Sequence, residues 1–288
     1  MDETMSGKAC LITGGTGGIG LVTARALARR GADVMIVGRN PEAGAAAVAE
    51  LRRAGAGGTV EFVAADLSRQ SEVRRLAALA ADRFGRLDVL INNAGGMFRR
   101  RTLSADGIEM TFALNHLAYF LLSDLLLPAL RASGRARIVN VASGAHRGVA
   151  LRFDDLQSER GYVGGWSVYK RSKLANLLFT YEFARRIEGG PVCVNALHPG
   201  FVATDIGVRN KLVPSWLWRL VSLAAISPEE GARTSTHVAA SGEVEGVHGK
   251  YFVRCRPAQS SPQSYDVDAA RRLWSVSEAM TAAPRAAA

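Results

Sequence analysis

Residues 8–30 run Lys8-Ala9-Cys10-Leu11-Ile12-Thr13-Gly14-Gly15-Thr16-Gly17-Gly18-Ile19-Gly20 and continue LVTARALARR. An apolar run comes first, then a glycine-dense turn, then apolar residues at helical spacing. Strand, glycine turn and helix in that order bring free backbone N–H groups and the positive end of a helix dipole to one point, which suits an anion such as a phosphate. Two registers fit the turn. Gly15, Gly17 and Gly20 match G-x-G-x-x-G, and Gly14, Gly18 and Gly20 match T-G-x-x-x-G-x-G. Thr16 and Ile19 lie inside the same loop. A glycine turn alone is as well explained as a structural turn, so the rest of the chain has to decide.

Working outward, further apolar runs of strand length occur at 32–37, 59–64, 87–91, 136–141, 191–197 and 249–253, with helical patterns between them. Seven strands alternating with helices predict an α/β chain: one doubly wound Rossmann fold, a mostly parallel seven-stranded sheet with helices on both faces. Long helices are expected at 106–131 and 166–187 and a terminal one at 269–280. No repeat or linker divides the chain, so residues 8–280 read as a single domain. Residues 1–7 are expected to be loosely packed and 281–288 to form a frayed tail.

The formal net charge is +10 over 288 residues, which raises nucleic acid or an anionic surface as partners. Arginines are scattered among Ala and Leu on helical segments, and Arg99-Arg100-Arg101 is the one tight run. Solvated helix faces account for that pattern, and no nucleic-acid partner is expected. The start is short and acidic, without the charged and apolar blocks of a signal peptide, and no apolar run reads as a membrane span. The location is expected to be cytoplasmic. Cys10, Cys193 and Cys255 are far apart and lack ligand spacing, so neither disulfides nor a metal site is expected; Cys10 and Cys193 read as buried small hydrophobes.

Chemistry concentrates at the predicted strand ends. Tyr169 and Lys173 are one helical turn apart, so they share a face. A phenol titrates near 10, and an ammonium beside it would move that value toward neutrality and make a general acid/base. Ser143 closes the fifth strand, where open α/β sheets place ligands. Asn115 lies in an apolar helical face, either as a packing amide or at a backbone kink that holds water. The second strand ends Gly38-Arg39, where a dinucleotide's adenosine ribose is read. A guanidinium there forks onto a 2′-phosphate, which favours NADP(H), with NAD(H) as the second choice. Asp66, followed by Leu67, either meets the adenine or caps the next helix. Asn93, Ala94 and Gly95 end the fourth strand with small residues that admit a ligand. His146 reads as a loop or substrate-pocket residue. The segment 211–225, with Trp216 and Trp218, reads as a lid (about 206–226), a dimer element, a membrane contact or a core helix.

Together these residues resemble the short-chain dehydrogenase/reductase superfamily. The motifs run Thr13-Gly14-x-x-x-Gly18-Ile19-Gly20, Asp66-Leu67, Asn92-Asn93-Ala94-Gly95, Asn115, Ser143, Tyr169-x-x-x-Lys173 and Pro199-Gly200. Asn115-His116-Leu117, Ser143-Gly144-Ala145-His146, Phe153-Asp154-Asp155-Leu156, Tyr169 to Asn176, His198-Pro199-Gly200 and Ala270 to Trp274 are similar to its retinol-dehydrogenase-like branch. The resemblance implies hydride exchange between a nicotinamide and a substrate carbonyl carbon, and the apolar segment 211–225 suggests a hydrophobic aldehyde, ketone or secondary alcohol as that substrate. It implies that Tyr169 moves the proton, Lys173 tunes Tyr169 and holds the nicotinamide ribose, Ser143 bonds the reacting oxygen, and Asn115 holds a water. Gly14 to Gly20 would take the pyrophosphate, Asn93 to Gly95 the adenosine side, and Pro199, Gly200, Val202 and Thr204 the nicotinamide. Pairing as a homodimer or homotetramer is implied through helices like those at 106–131 and 166–187. The alternative from another class is a cofactor-sensing protein on the same fold without turnover.

Overall fold

A computed structural model of the chain describes residues 4–200 and 226–282. Val202, Thr204 and the expected lid, apart from Ile226, lie outside the described residues. Strand β1 (Ala9–Thr13) is buried at every position, as the unbroken run ACLIT requires of a strand covered on both faces. Around it stand β2 (Asp33–Gly38), β3 (Val60–Ala64), β4 (Val89–Asn92), β5 (Ala136–Val141), β6 (Val192–His198), β7 (Tyr251–Val253) and β8 (Arg256–Ala258). Their order in the sheet is β3-β2-β1-β4-β5-β6-β7-β8, and every pairing is parallel except β7 with β8. The strand order reverses between β1 and β4, so a crevice opens at their carboxyl ends.

Among the described residues the sheet therefore has eight strands, not seven. The run Gly249–Val253 is followed by a tight reversal in which Arg254 and Cys255 both take positive φ, and Arg256–Ala258 returns antiparallel. The Pro inside RPA hides this strand from a propensity reading, although Pro is tolerated at a sheet edge.

The helices are α1 (Gly18–Arg29), α2 (Pro41–Arg53), α3 (Gln70–Phe84), α4 (Met110–Ala132), α5 (Trp166–Arg186), α6 (Pro228–Ala240) and α7 (Val267–Thr281). Capping sets several starts. Asn40 accepts from Ala43 N, Ser227 from Glu230 N and Asp266 from Ala269 N, with Pro at the first position of α2 and α6. α4 begins at Met110 rather than near Asp106, because the buried Glu109 carboxylate accepts the N–H groups of Thr111 and Phe112. Asp106 instead accepts the N–H of Gln70 at the start of α3, at 2.8 Å.

α4 is interrupted by a π turn over Ala113–Leu117, the kink weighed for Asn115. By length and a mean hydropathy of 1.4, α4 is apolar enough to cross a membrane, which the sequence reading overlooked. In the fold, 72% of that window is buried, so core packing accounts for its apolarity. α7 lies across α5, and Trp274 stacks among Phe120, Phe179 and Phe183 under the Arg186 guanidinium. The aromatic face of α4 and α5 is thus already covered within one chain. Met5 is buried and donates its N–H to Arg30 O at 2.7 Å, so packing starts before Lys8. At the other end Thr281 still belongs to α7 and is buried, bonded to Arg74. Cys10 is buried, but Cys193 is half-buried.

Candidate active site

The glycine loop turns over the end of β1. Gly14 and Gly18 adopt φ of 66° and 53°, the left-handed region that favours glycine. A Cβ on Gly20 would lie 2.2 Å from Gly14 O, and one on Gly15 2.8 Å from Ile36. Gly17 is extended, exposed and open, and a methyl there would meet nothing within 4 Å. Of the two registers, that of Gly14, Gly18 and Gly20 is the one sterics demand. Gly17 is left facing the crevice at the N-terminus of α1.

A latch that the sequence reading did not assign holds this loop to β4. Thr13 Oγ1 accepts the N–H groups of Asn93 and Ala94 at 2.8 and 3.0 Å, and donates to Ile91 O. Asn93 Nδ2 returns two bonds, to Thr13 O and Gly14 O. Beside the loop, Thr16 packs against Gly38, and Arg39 follows, exposed at the strand end. Asp66 does not cap α3. Its carboxylate folds back on Ser68 N and Oγ, a local turn that leaves it half-buried at the crevice edge. The Leu67 side chain is in the core.

The other half of the crevice gathers Asn115, Ser143, Tyr169 and Lys173. The Asn115 amide is fully buried. Its Oδ1 accepts Gly96 N at 2.8 Å, and its Nδ2 donates to Gly96 O and Ser172 Oγ, both at 2.9 Å. Both donors are taken by protein, so the amide pins the loop after β4 to α5. Lys173 reaches under the sheet end, and its Nζ donates to Val141 O at 2.8 Å. Nζ lies 5.8 Å from the Tyr169 ring centre and 5.7 Å from that of the buried Tyr119. A Cβ on Gly95 would come within 3.2 Å of Asn115 Oδ1 and 3.6 Å of this ammonium, so the small residue there makes room for the Asn115 amide.

Tyr169 is half-buried and stacks against the exposed Trp166 with centroids 5.7 Å apart. Burial pushes its phenol upward, and a hydrogen bond with Ser143 offsets part of the rise. Burial pushes Lys173 down to about 7. The expectation that Lys173 lowers the phenol is therefore not met by this geometry. The amine is buried alongside the phenol and turned to a backbone carbonyl, so desolvation dominates both groups. His146 is not a pocket residue. It is fully buried beneath Ser143. Pro199 and Gly200 stand half-buried at the end of β6. Among the described residues no group of three metal-ligating side chains occurs.

The family profile described as short chain dehydrogenase matches residues 8–212. The chain is a short-chain dehydrogenase. Retinol dehydrogenase 14 of Mus musculus is 43% identical over 289 residues, covering 96% of this chain and 86% of the relative. Retinol dehydrogenase 12 of Homo sapiens is 42% identical over 273 residues, covering 95% and 86%. These place it in the retinol-dehydrogenase-like branch. Among solved structures, an uncharacterized protein from Mycobacterium paratuberculosis superposes with a TM-score of 0.79 at 34% identity, covering 97% of this chain and 95% of that one. A short chain dehydrogenase from Burkholderia cenocepacia J2315 in complex with NADP gives 0.68 at 29%, covering 87% and 97%.

As a short-chain dehydrogenase the chain is an NAD(P)-dependent oxidoreductase acting on alcohol and carbonyl groups. The crevice fits a dinucleotide on its own geometry. Gly17 leaves the α1 N-terminus uncovered, Gly20 and Gly14 keep the turn tight, and Gly95 keeps the floor low. The sequence reading gave no role to Thr13, Gly96, Ser172 or His198: Thr13 and His198 accept backbone N–H groups, Ser172 bonds the Asn115 amide, and Gly96 is held by that amide through its own backbone. Thr13, Ser172 and His198 lie within the motifs that carry the resemblance, but their spacing does not announce these bonds.

Proposed function

We propose that this enzyme exchanges a hydride between NADP(H) and a hydrophobic aldehyde, ketone or secondary alcohol, with Tyr169 as the proton-transferring group. The observation that carries the reading is the Tyr169 ring at the strand ends, with the Lys173 amine 5.8 Å from its centre and Ser143 on the phenol side, where it offsets part of the rise that burial causes. A bound nicotinamide supplies or accepts the hydride. Tyr169 and Ser143 orient the substrate oxygen, and Tyr169 gives it a proton in reduction or takes one in oxidation. Lys173, neutral or charged near pH 7, follows the charge on the phenol and is placed to hold ribose hydroxyls. Asn115 ties Gly96 to Ser172, one residue before Lys173, and so fixes the helix that carries the amine. Arg39, exposed at the end of β2, supports a 2′-phosphate and hence NADP(H) over NAD(H). Asp66 stands by for the adenine.

The substrate class rests on the exposed Trp166 stacked on Tyr169 and on the apolar sequence of 211–225. Retinol, named in the relatives, belongs in the substrate panel with medium-chain aldehydes and ketones. We also hold the protein to be cytoplasmic and a homodimer or homotetramer. Cell fractionation and light scattering test these, and assembly through α4 and α5 would need a face other than the one under α7.

The decisive experiment follows absorbance at 340 nm with NADPH, NADH and their oxidised forms against that panel. Tyr169→Phe is expected to lose about 10² to 10⁴-fold in kcat with cofactor binding intact, the usual worth of a positioned acid/base. Near-normal turnover in Tyr169→Phe would remove it from the chemistry. Tight cofactor binding by the wild type with no turnover on any substrate would favour a sensor. Arg39→Asp should weaken NADPH by roughly 10-fold or more, since hydrogen bonds to a charged group contribute about 1.5–3 kcal/mol. Equal wild-type affinities for NADPH and NADH would sink the preference.

A further inference from the structure

The peptide that joins Ser143 to Gly144 is held on both sides by imidazole rings. His146 Nδ1 lies 2.6 Å from Ser143 O. A carbonyl only accepts, so Nδ1 carries the proton. The Ser261 N–H donates to His146 Nε2 at 3.0 Å, so Nε2 is bare. The ring is therefore neutral and in one tautomer. His198 uses the opposite arrangement. Its Nδ1 accepts the N–H of Gly144 at 3.0 Å and that of Gly200 at 3.4 Å, so there Nδ1 is bare. A Cβ on Gly144 would come 3.1 Å from His198 Nε2 and 3.4 Å from Cδ2, so the imidazole lies against the bare Cα. His146 is fully buried, edge-on to Tyr251 at 5.4 Å. Its outer partner Ser261 is braced by Ser264, which ties through Ser260 to Tyr181 of α5.

We propose that His146 and His198 are positioning residues, two neutral histidines of opposite tautomer that clamp the Ser143–Gly144 peptide and fix the aim of Ser143 Oγ. The same His198 nitrogen joins that peptide to the Pro199–Gly200 turn, so the serine and the far wall of the crevice move as one piece. Ser143 Oγ already accepts the Ala145 N–H at 3.2 Å, which leaves its proton free to point at Tyr169 or a substrate oxygen. Among the described residues, the charged or titratable neighbours of the pair are Arg147, Tyr251 and each other. Burial and Arg147 oppose protonation of both rings, with His198 pushed down to about 4.

The inference rests on the proposed role of Ser143, and two measurements separate the two claims. In the first, His198→Leu removes the acceptor and His198→Asn restores one at the Nδ1 position. Turnover with 4-deuterated NADPH is compared with protiated cofactor. His198→Leu is expected to lower kcat about 10- to 100-fold, the scale of a misplaced reacting group, and to raise the isotope effect because the hydride step slows. His198→Asn should recover most of both. A folded His198→Leu with unchanged kcat and isotope effect, or a His198→Asn no better than Leu, overturns the clamp. The second measurement needs no turnover: a long-range nitrogen–proton spectrum of the five histidines, assigned by substitution. His146 should stay Nδ1-protonated and His198 Nε2-protonated from pH 7 to about 5. Either ring titrating near the ordinary histidine value of about 6.5, or showing the other tautomer, overturns the clamp even if the wild type proves inactive.

Discussion

The two walls of the crevice are built by opposite means. Around β1 and β2 the wall is made of missing side chains: a methyl on Gly20 would stand 2.2 Å from Gly14 O, and one on Gly14 2.9 Å from Asn93 Nδ2. Around β4, β5 and β6 it is made of side chains that satisfy backbone groups from distant segments, as the buried Asn115 does for Gly96 and the half-buried His198 for Gly144. One wall tolerates no added atom at Gly14, Gly15 or Gly20, and the other no lost hydrogen-bond partner. A phosphate has to be met by bare backbone, whereas a proton donor has to be aimed, and aiming takes braces.

The sharpest way to break this contrast is within the loop itself. Gly20→Ala is expected to destabilise the protein by about 3 kcal/mol or more and to abolish cofactor binding, because the atom it meets is backbone and cannot swing aside. Gly17→Ala, three residues away and open to solvent, should stay within about 0.5 kcal/mol. Urea midpoints for the pair settle the matter. Equal midpoints would mean that sterics do not select the register of Gly14, Gly18 and Gly20. On the other wall, Asn115→Leu keeps the volume and removes every bond. It strands both the N–H and the C=O of Gly96, and a loss of about 2–3 kcal/mol is expected. Asn115→Asp, which keeps the acceptor for Gly96 N but loses both donors and adds a charge in a buried site, should fare no better. A midpoint for Asn115→Leu equal to that of the wild type would show that Gly96 finds water instead.

This contrast also explains what could be read in the chain beforehand. The glycine wall is local: Thr13 to Gly20 is one stretch, and its turn, its helix start and its anion site follow from adjacent residues. Arg39 and Asp66 were placed at strand ends by counting strands, and Tyr169 and Lys173 by helical spacing. The bracing wall is not local. Ser261 lies 115 residues from His146, and Gly144 lies 54 from His198, so no spacing announces them. The direction of the Tyr169 shift was misjudged for a related reason. Spacing shows that a lysine is near, but not that its amine is buried and turned to Val141 O. The eighth strand was missed because a reversal through two non-glycine residues at positive φ leaves no glycine to mark it.

Lys173 gives the contrast a pH dependence of its own. It is a cation that the bracing wall has to bury, with its pKa lowered from 10.5 to about 7. Between those values the unfolded chain binds a proton that the native protein does not, so stability must rise with pH across that window. The cost of the buried ammonium is fully present below about pH 7 and fades as pH approaches 10.5. From pH 7 to 9 the cofactor-free wild type should gain about 2 kcal/mol or less from this one group. Tyr169, raised by burial, works in the opposite sense only above its ordinary value of 10, so pH 9 keeps the two apart. Lys173→Met removes the charge while keeping most of the stem, and it should flatten this part of the slope and raise the midpoint at pH 7. The comparison is between two urea series on cofactor-free protein. If both proteins show the same slope, the amine is solvated in the empty crevice, and the bracing wall is looser around Lys173 than its bond to Val141 O implies.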